Sequence, residues 1–320
     1  MTQIVEIVLP VFCLIGIGYG IARFGFLSTA SGDGLADYVF KIAVPVLLMR
    51  SIAMADFSDQ SGFSDIVLFW ATYFTGVFAV WLAAWLWISK VFGRGARAAS
   101  IAGVAAGFSN LVLLGIPLIE QAYGRDGLQI LFVLVAVHLP IMMTVSTFLM
   151  EISARADGVD QSALNVKGIL KKLLLNFVAN PIIIGIFAGI ALRFTGIGIS
   201  GIPEQVTGLI AKTTGPLALI SLGMGLIKYG VRGNILAAVG LTGLSLIVMP
   251  LSVYIVGTLV FQIPPLWLKV AVLAAASPTG VNAYLFATYF KVAEGLASSS
   301  IVLTMLGSIL TLPIWLTILG

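Results

Sequence analysis

The segment "ASPTGVNAYLF", residues 276 to 286, sets Ser277, Pro278, Thr279, Gly280 and Asn282 inside an otherwise apolar run from 266 to 290. Proline removes a backbone donor and clashes with the preceding turn, while glycine accepts the dihedrals of unwound chain. A helix broken near mid-span is predicted. A second segment, "GFSNLVLLGIP" at 107 to 117, repeats these residue types with Ser109, Asn110, Gly115 and Pro117. Unwound backbone at membrane depth survives only inside protein or beside an aqueous cavity, because bare N–H and C=O groups are costly in lipid. A half-helix that begins after a break aims its free N–H groups and its positive dipole end back at the break. Asn110 and Asn282 add amide donors there, and Ser109, Ser277 and Thr279 add hydroxyls. The chemistry is that of a site for a small carboxylate that holds no buried full charge. A single such break elsewhere is a kink or a close-packing device, and hydroxyls also satisfy helix carbonyls. Two breaks of the same composition favour the binding reading.

Other polar residues sit in apolar runs. Lys41 follows Asp37 by four residues, the spacing of an ion pair on one helix face, and Lys212 repeats the lysine without a comparable acid. An intramembrane charge is a functional candidate, although a lysine near a helix end can snorkel. His138, the sole histidine, lies near the middle of its run, where an imidazole relays a proton or serves as a hydrogen-bonded core residue. Glu120, three residues after Pro117, either titrates with substrate or caps the outer half-helix. Lys41, Asp37, His138 and Glu120 are thus the candidates for proton or ion coupling.

Composition dictates the elements that must hold these groups. Of 320 residues, 60% are hydrophobic and 9% charged, which is the balance of an integral membrane protein. Apolar runs cover about 3–22, 34–54, 64–89, 98–123, 128–152, 172–193, 205–228, 235–261, 266–290 and 295–319, each near the length that spans hydrocarbon. Ten transmembrane helices is the simplest count. The opening "MTQIVEIVLP" has no basic region and no small-residue cleavage site, so a retained first helix is expected. One cysteine, Cys13, excludes an internal disulfide and a cysteine-built zinc site. No metal site and no cofactor is expected. The net charge of +4 comes from residues scattered through short loops, which marks topology rather than a nucleic-acid partner. With the N-terminus outside, eleven Lys and Arg residues fall in cytoplasmic loops and four opposite, so both termini are expected outside.

The prolines carry a repeat. Pro10 matches Pro181, Lys41 and Pro45 match Lys212 and Pro216, Asn110 matches Asn282, and Pro140 matches Pro313, at offsets of 171 to 173. Five helices per half is an odd number, so the halves enter the membrane from opposite sides. The expected organisation is a first inverted repeat at 1–155, a cytoplasmic linker at 156–171 with an interfacial amphipathic helix, and a second repeat at 172–320. Breaks in the fourth and ninth helices would cross at the midplane.

The strings "VLPVFCLIGIGYGIARFGFLS", "DYVFKIAVPVLLMRSIA", "GFSNLVLLGIPLIEQAYG" and "ASPTGVNAYLFATYF" resemble the auxin efflux carrier family, in its bacterial branch related to the plant PIN carriers. The resemblance covers the whole chain. It implies an all-α fold similar to bile acid symporters, with helices 1, 2, 6 and 7 as scaffold and dimer contact. Helices 3–5 and 8–10 are implied as a mobile transport domain, and Asn110 and Asn282, beside Pro117 and Pro278, as holders of the substrate carboxylate. The long loop between helices 5 and 6 of many plant relatives is missing. The bacterial branch implies mono- or dicarboxylates such as malonate or malate.

The function expected is secondary transport of a small organic anion across the bacterial cytoplasmic membrane by elevator-type alternating access in a homodimer. Membrane potential, protons, or both would drive it. The alternative is a sodium-coupled organic anion symporter similar to bile acid symporters. An intramembrane enzyme would need paired acids, a His-Glu-His zinc motif or a Ser-His constellation at depth, and one histidine without such a motif argues against it. Loops this short leave no ligand domain for a receptor.

Overall fold

A computed structural model describes residues 2–54, 62–159, 179–196 and 198–320. The described residues are helical apart from turns and two short extended stretches that meet each other. In chain order the helices are α1 (Thr2–Arg23), α2 (Thr29–Tyr38), α3 (Val44–Ala53), α4 (Phe63–Leu86), α5 (Ala96–Gly107), α6 (Ile116–Ala156) and α7 (Pro181–Thr195). They continue as α8 (Ile202–Lys212), α9 (Thr214–Gly225), α10 (Ile235–Gly243), α11 (Met249–Ile255), α12 (Pro265–Ala275), α13 (Asn282–Tyr289) and α14 (Glu294–Leu319).

Six helical stretches among the described residues are long and apolar enough to cross a membrane, and Pro181–Thr195 and Pro265–Ala275 are shorter apolar helices. That is fewer than ten because the fourth and ninth expected spans are interrupted, the fourth runs into the fifth, the second carries Asp37, Lys41 and Arg50, and the sixth begins among residues outside the described ones. The expected fourth span is cut at Phe108–Asn110 and the ninth between Ala275 and Asn282. The runs expected at 98–123 and 128–152 join through α6, where Gly124 takes φ 61°, ψ −149° and turns the chain out of helical geometry. Only a glycine adopts such a backbone cheaply. The expected linker is helical to Ala156, and the amphipathic helix expected within it lies outside the described residues.

Prolines shape several helices in a way that periodicity does not reveal. Val39–Ala43, Leu111–Gly115 and Leu244–Val248 are π-helical, and each ends two residues before a proline: Pro45, Pro117 and Pro250. A proline ring collides with the carbonyl four residues earlier. In each case that carbonyl lies within the widened turn, where the closing bond runs over five residues, as from Ile116 N to Leu111 O. The π turn relieves the clash without breaking the helix.

Small residues set the closest crossings. Helix α1 packs on α9, and α3 packs on α7 and α8. A Cβ added at Gly18 would stand 2.1 Å from the carbonyl oxygen of Ile220, and one at Gly189 would stand 2.7 Å from that of Met49. Gly189 and Ile220 follow Gly18 and Met49 by the same 171 residues. Arg50 ties α3 to α8, donating to the Glu204 carbonyl at 2.8 Å and lying 3.3 Å from its carboxylate. On the other side, α4 packs against α5, α11 and α12, and α14 against α10 and α13. Asp157, just past α6, accepts hydrogen bonds from Ala96 N at 2.7 Å and Arg97 N at 2.9 Å. It thereby caps the start of α5.

Candidate functional site at the crossing of two broken helices

The two interruptions meet. Ser109 and Thr279 face each other across an isolated antiparallel bridge. Asn110 N donates to Pro278 O at 2.9 Å, and Gly280 N donates to Phe108 O at 2.7 Å. Each break therefore satisfies part of the other's backbone, which lets unwound chain persist at this depth. Proline suits its position because it contributes the carbonyl and needs no donor. Glycine at 280 fits a tight space: an added Cβ would lie 3.1 Å from Phe108 O and 3.4 Å from Ser109 O.

Side chains complete the splice. Thr279 Oγ1 donates to Ala105 O at 2.7 Å, at the end of α5. Thr279 N donates to Thr304 Oγ1 at 3.0 Å, and that hydroxyl donates to Ser300 O at 2.7 Å within α14. Ser277 Oγ turns back to Leu273 O at 3.2 Å, and Ser109 Oγ lies 3.9 Å from Met249 Sδ. Of the hydroxyls anticipated as ligand donors, those of Thr279 and Ser277 are engaged with backbone.

Asn110 occupies the N-cap of Leu111–Gly115, and its Oδ1 accepts from Leu113 N at 3.2 Å. Its Nδ2 is buried without a hydrogen-bond partner. Using the oxygen in the cap leaves the amide's two N–H donors for something else. Asn282 opens α13 and is half-buried. Both asparagines line one small cavity of about 40 Å³, together with Phe40, Ser109, His138 and Gly280. That volume holds about three waters.

His138 is 3% exposed and neither ring nitrogen has a partner. Aromatic rings cage it, with Phe108 at 5.1 Å and Tyr73 at 5.5 Å in edge-on contact and Phe74 stacked at 6.3 Å. It is therefore a cavity residue rather than a hydrogen-bonded core residue.

The remaining candidates stand apart from the cavity lining. Gly115 N closes on Asn110 O at 3.0 Å, within the π turn. Pro117 begins α6 against Gly215 of α9, and Glu120 is exposed one turn further on. Lys41 and Asp37 pair at 2.7 Å, as their spacing predicts, with both side chains more than half exposed. The sequence reading missed Phe40, Phe108 and Thr304. The aromatics carry no signal beyond apolarity, whereas Thr304 lies in a polar "SSSIVLT" run of α14 that marks a helix face turned to other polar groups.

The arrangement gathers neutral polar groups around a small cavity at a backbone crossing. The chain matches the model of the membrane transport protein family over residues 3–316. It is 24% identical over 319 residues to the uncharacterized transporter YfdV of Escherichia coli (strain K12), covering 99% of this chain and 98% of that one. It is 25% identical over 313 residues to a protein of Rhizobium meliloti (strain 1021) named as a candidate malonate transporter, covering 97% and 94%. An uncharacterized transporter of Methanothermobacter thermautotrophicus is 26% identical over 317 residues, covering 98% of each chain.

Proposed function

The chain belongs to the membrane transport protein family, the auxin efflux carriers, and on that premise we propose that it is a secondary transporter of small carboxylate anions. The observation that carries the reading is the mutual splice of two broken helices beside a small cavity that both asparagines line. The half-helix starting at Leu111 and the one starting at Asn282 turn their positive dipole ends toward one place, while the N–H groups of Leu111, Leu113, Ala283 and Tyr284 are held by local acceptors. The amides of Asn110 and Asn282 then fix the carboxylate. Dicarboxylates of malonate or malate size are the substrate class, a choice supported by the relative named for malonate.

The molecule works as two inverted five-helix repeats, 1–155 and 172–320, joined by a linker at 156–171. The matched approaches of Gly18 to Ile220 and Gly189 to Met49, 171 residues apart, support that symmetry. Helices α1 to α3 and α7 to α9 form the scaffold, which also makes the homodimer contact, and the others form the moving domain. A cavity of about 40 Å³ is too small for a whole dicarboxylate, so loading requires the domains to part. The transport domain slides past the scaffold in the cytoplasmic membrane, both termini outside. Outward movement of an anion from a negative-inside cell gains about 2.3 kcal/mol per charge per 100 mV.

Counterflow of labelled malonate and malate in proteoliposomes tests this, with wild type set against Asn282→Ala. Saturable exchange that disappears in the variant is the expected result. Unchanged exchange in the variant removes Asn282 from the site, a non-saturating flux points to a pore, and dependence on sodium favours the symporter alternative.

A further inference from the structure

His138 brings to the cavity a demand that a simple carboxylate does not meet. The ring is 3% exposed, lines the cavity with Asn110 and Asn282, and has both nitrogens unpartnered. Tyr73 is the one titratable side chain in ring contact with it among the described residues; Phe74 and Phe108, the other ring neighbours, are apolar. Across the cavity stand Phe40, Asn110, Gly280 and Asn282, none of them charged. With no carboxylate beside it, the site holds a neutral imidazole, which presents one N–H donor and one bare nitrogen acceptor. A carboxylate only accepts hydrogen bonds, so it satisfies the N–H and leaves the bare nitrogen unpaired. A buried polar atom left unpaired opposes binding.

The free Nδ2 of Asn110 makes the opposite demand, since it needs an acceptor. One ligand group must therefore accept while another also donates. In addition, no cationic side chain lines the cavity to offset a second negative charge, and a buried charge without a partner is strongly disfavoured.

We infer that the site takes a dicarboxylate as its hydrogen monoanion: the ionised carboxylate lies on the asparagine amides and the protonated carboxyl donates its O–H to the bare nitrogen of His138. One proton crosses with each dicarboxylate, and the loaded site carries one negative charge instead of two. This rests on the crossing being the carboxylate site.

The test is the KM for total malonate in counterflow, with the pH equal on both sides and varied from below to well above the second ionisation of the substrate. Wild type is expected to show a KM that rises about tenfold per pH unit in the upper range, because the monoanion falls by that factor. His138→Phe removes the acceptor and is expected to flatten the rise. His138→Gln supplies a carbonyl acceptor and an N–H donor and does not titrate, so it is expected to keep the rise. A flat wild-type KM with working exchange overturns this inference and leaves the carboxylate carrier standing. Absence of exchange with any carboxylate in wild type overturns both. A rise that persists in His138→Phe, or a rise lost in His138→Gln while exchange continues, removes His138 from the role.

Discussion

At the scale of residues, Asn110 does two jobs with two ends of one amide. Oδ1 caps the half-helix, and Nδ2 is buried without a partner in a residue that lines the cavity. The substitutions that separate them follow from the side-chain inventory. Asn110→Asp keeps an acceptor for Leu113 N but replaces both donors with a charge that repels an anion. Because that charge is buried without a cationic partner, the variant should also melt below wild type and lose counterflow. Asn110→Ala loses the cap as well, at about 1 kcal/mol, and should lower the melting temperature and abolish counterflow together. A stable, active Asn110→Asp protein would take the amide out of the site. That Ser109, Asn110, Gly280 and Asn282 come together was legible because polar and helix-breaking residues stand out in an apolar run. For Thr279 and Ser277 both readings were open, and the hydroxyls bond backbone carbonyls: local sequence shows a hydroxyl but not the carbonyl it turns to. Gly280→Ala places a methyl 3.1 Å from Phe108 O, and should open the crossing and cut exchange at least tenfold while the helices remain folded by circular dichroism.

At the scale of elements, prolines were read as breakers, and the structure divides them into two kinds. Pro278 terminates a helix and lends its carbonyl to the opposite break. Pro45, Pro117 and Pro250 instead follow π turns that absorb them within a continuing helix. Nothing in local periodicity distinguishes the two, because the difference lies in whether neighbouring backbone is available to accept the freed groups. Glycines divide in the same way. Gly16 on α1 has nothing within 4 Å of an added Cβ, whereas Gly18 meets backbone at 2.1 Å and Gly189 on α7 meets it at 2.7 Å. Backbone cannot rotate aside as a side chain does, so Gly18→Ala and Gly189→Ala should each destabilise by about 1–3 kcal/mol. Gly16→Ala should be neutral or stabilising, by up to about 1 kcal/mol from helix propensity. Thermal unfolding of the three variants in one detergent checks the order, and equal melting temperatures would refute the close crossings.

At the scale of the whole molecule, the offset of 171 residues was visible in the sequence, but which helices touch was not. The closest backbone approaches join the two halves, α1 with α9 and α3 with α7, and no pattern within one half encodes a partner in the other. The same interleaving gives a direct way to test whether the molecule must move. An ideal Cβ at Gly215 of α9 lies 3.5 Å from Cβ of Pro117 at the start of α6, within the range that a disulfide spans. Helix α9 belongs to the proposed scaffold and α6 to the proposed moving domain, so Pro117→Cys with Gly215→Cys places a lock across the sliding surface. Cys13, the sole native cysteine and exposed, is replaced by serine in the background to prevent crosslinks between molecules. Under reducing conditions the double variant should retain whatever exchange each single variant shows. Oxidation should stop exchange, and a reductant should restore it. A fixed pore would keep conducting with the bond closed, and that result would end the elevator reading while leaving the spliced helices and their cavity in place.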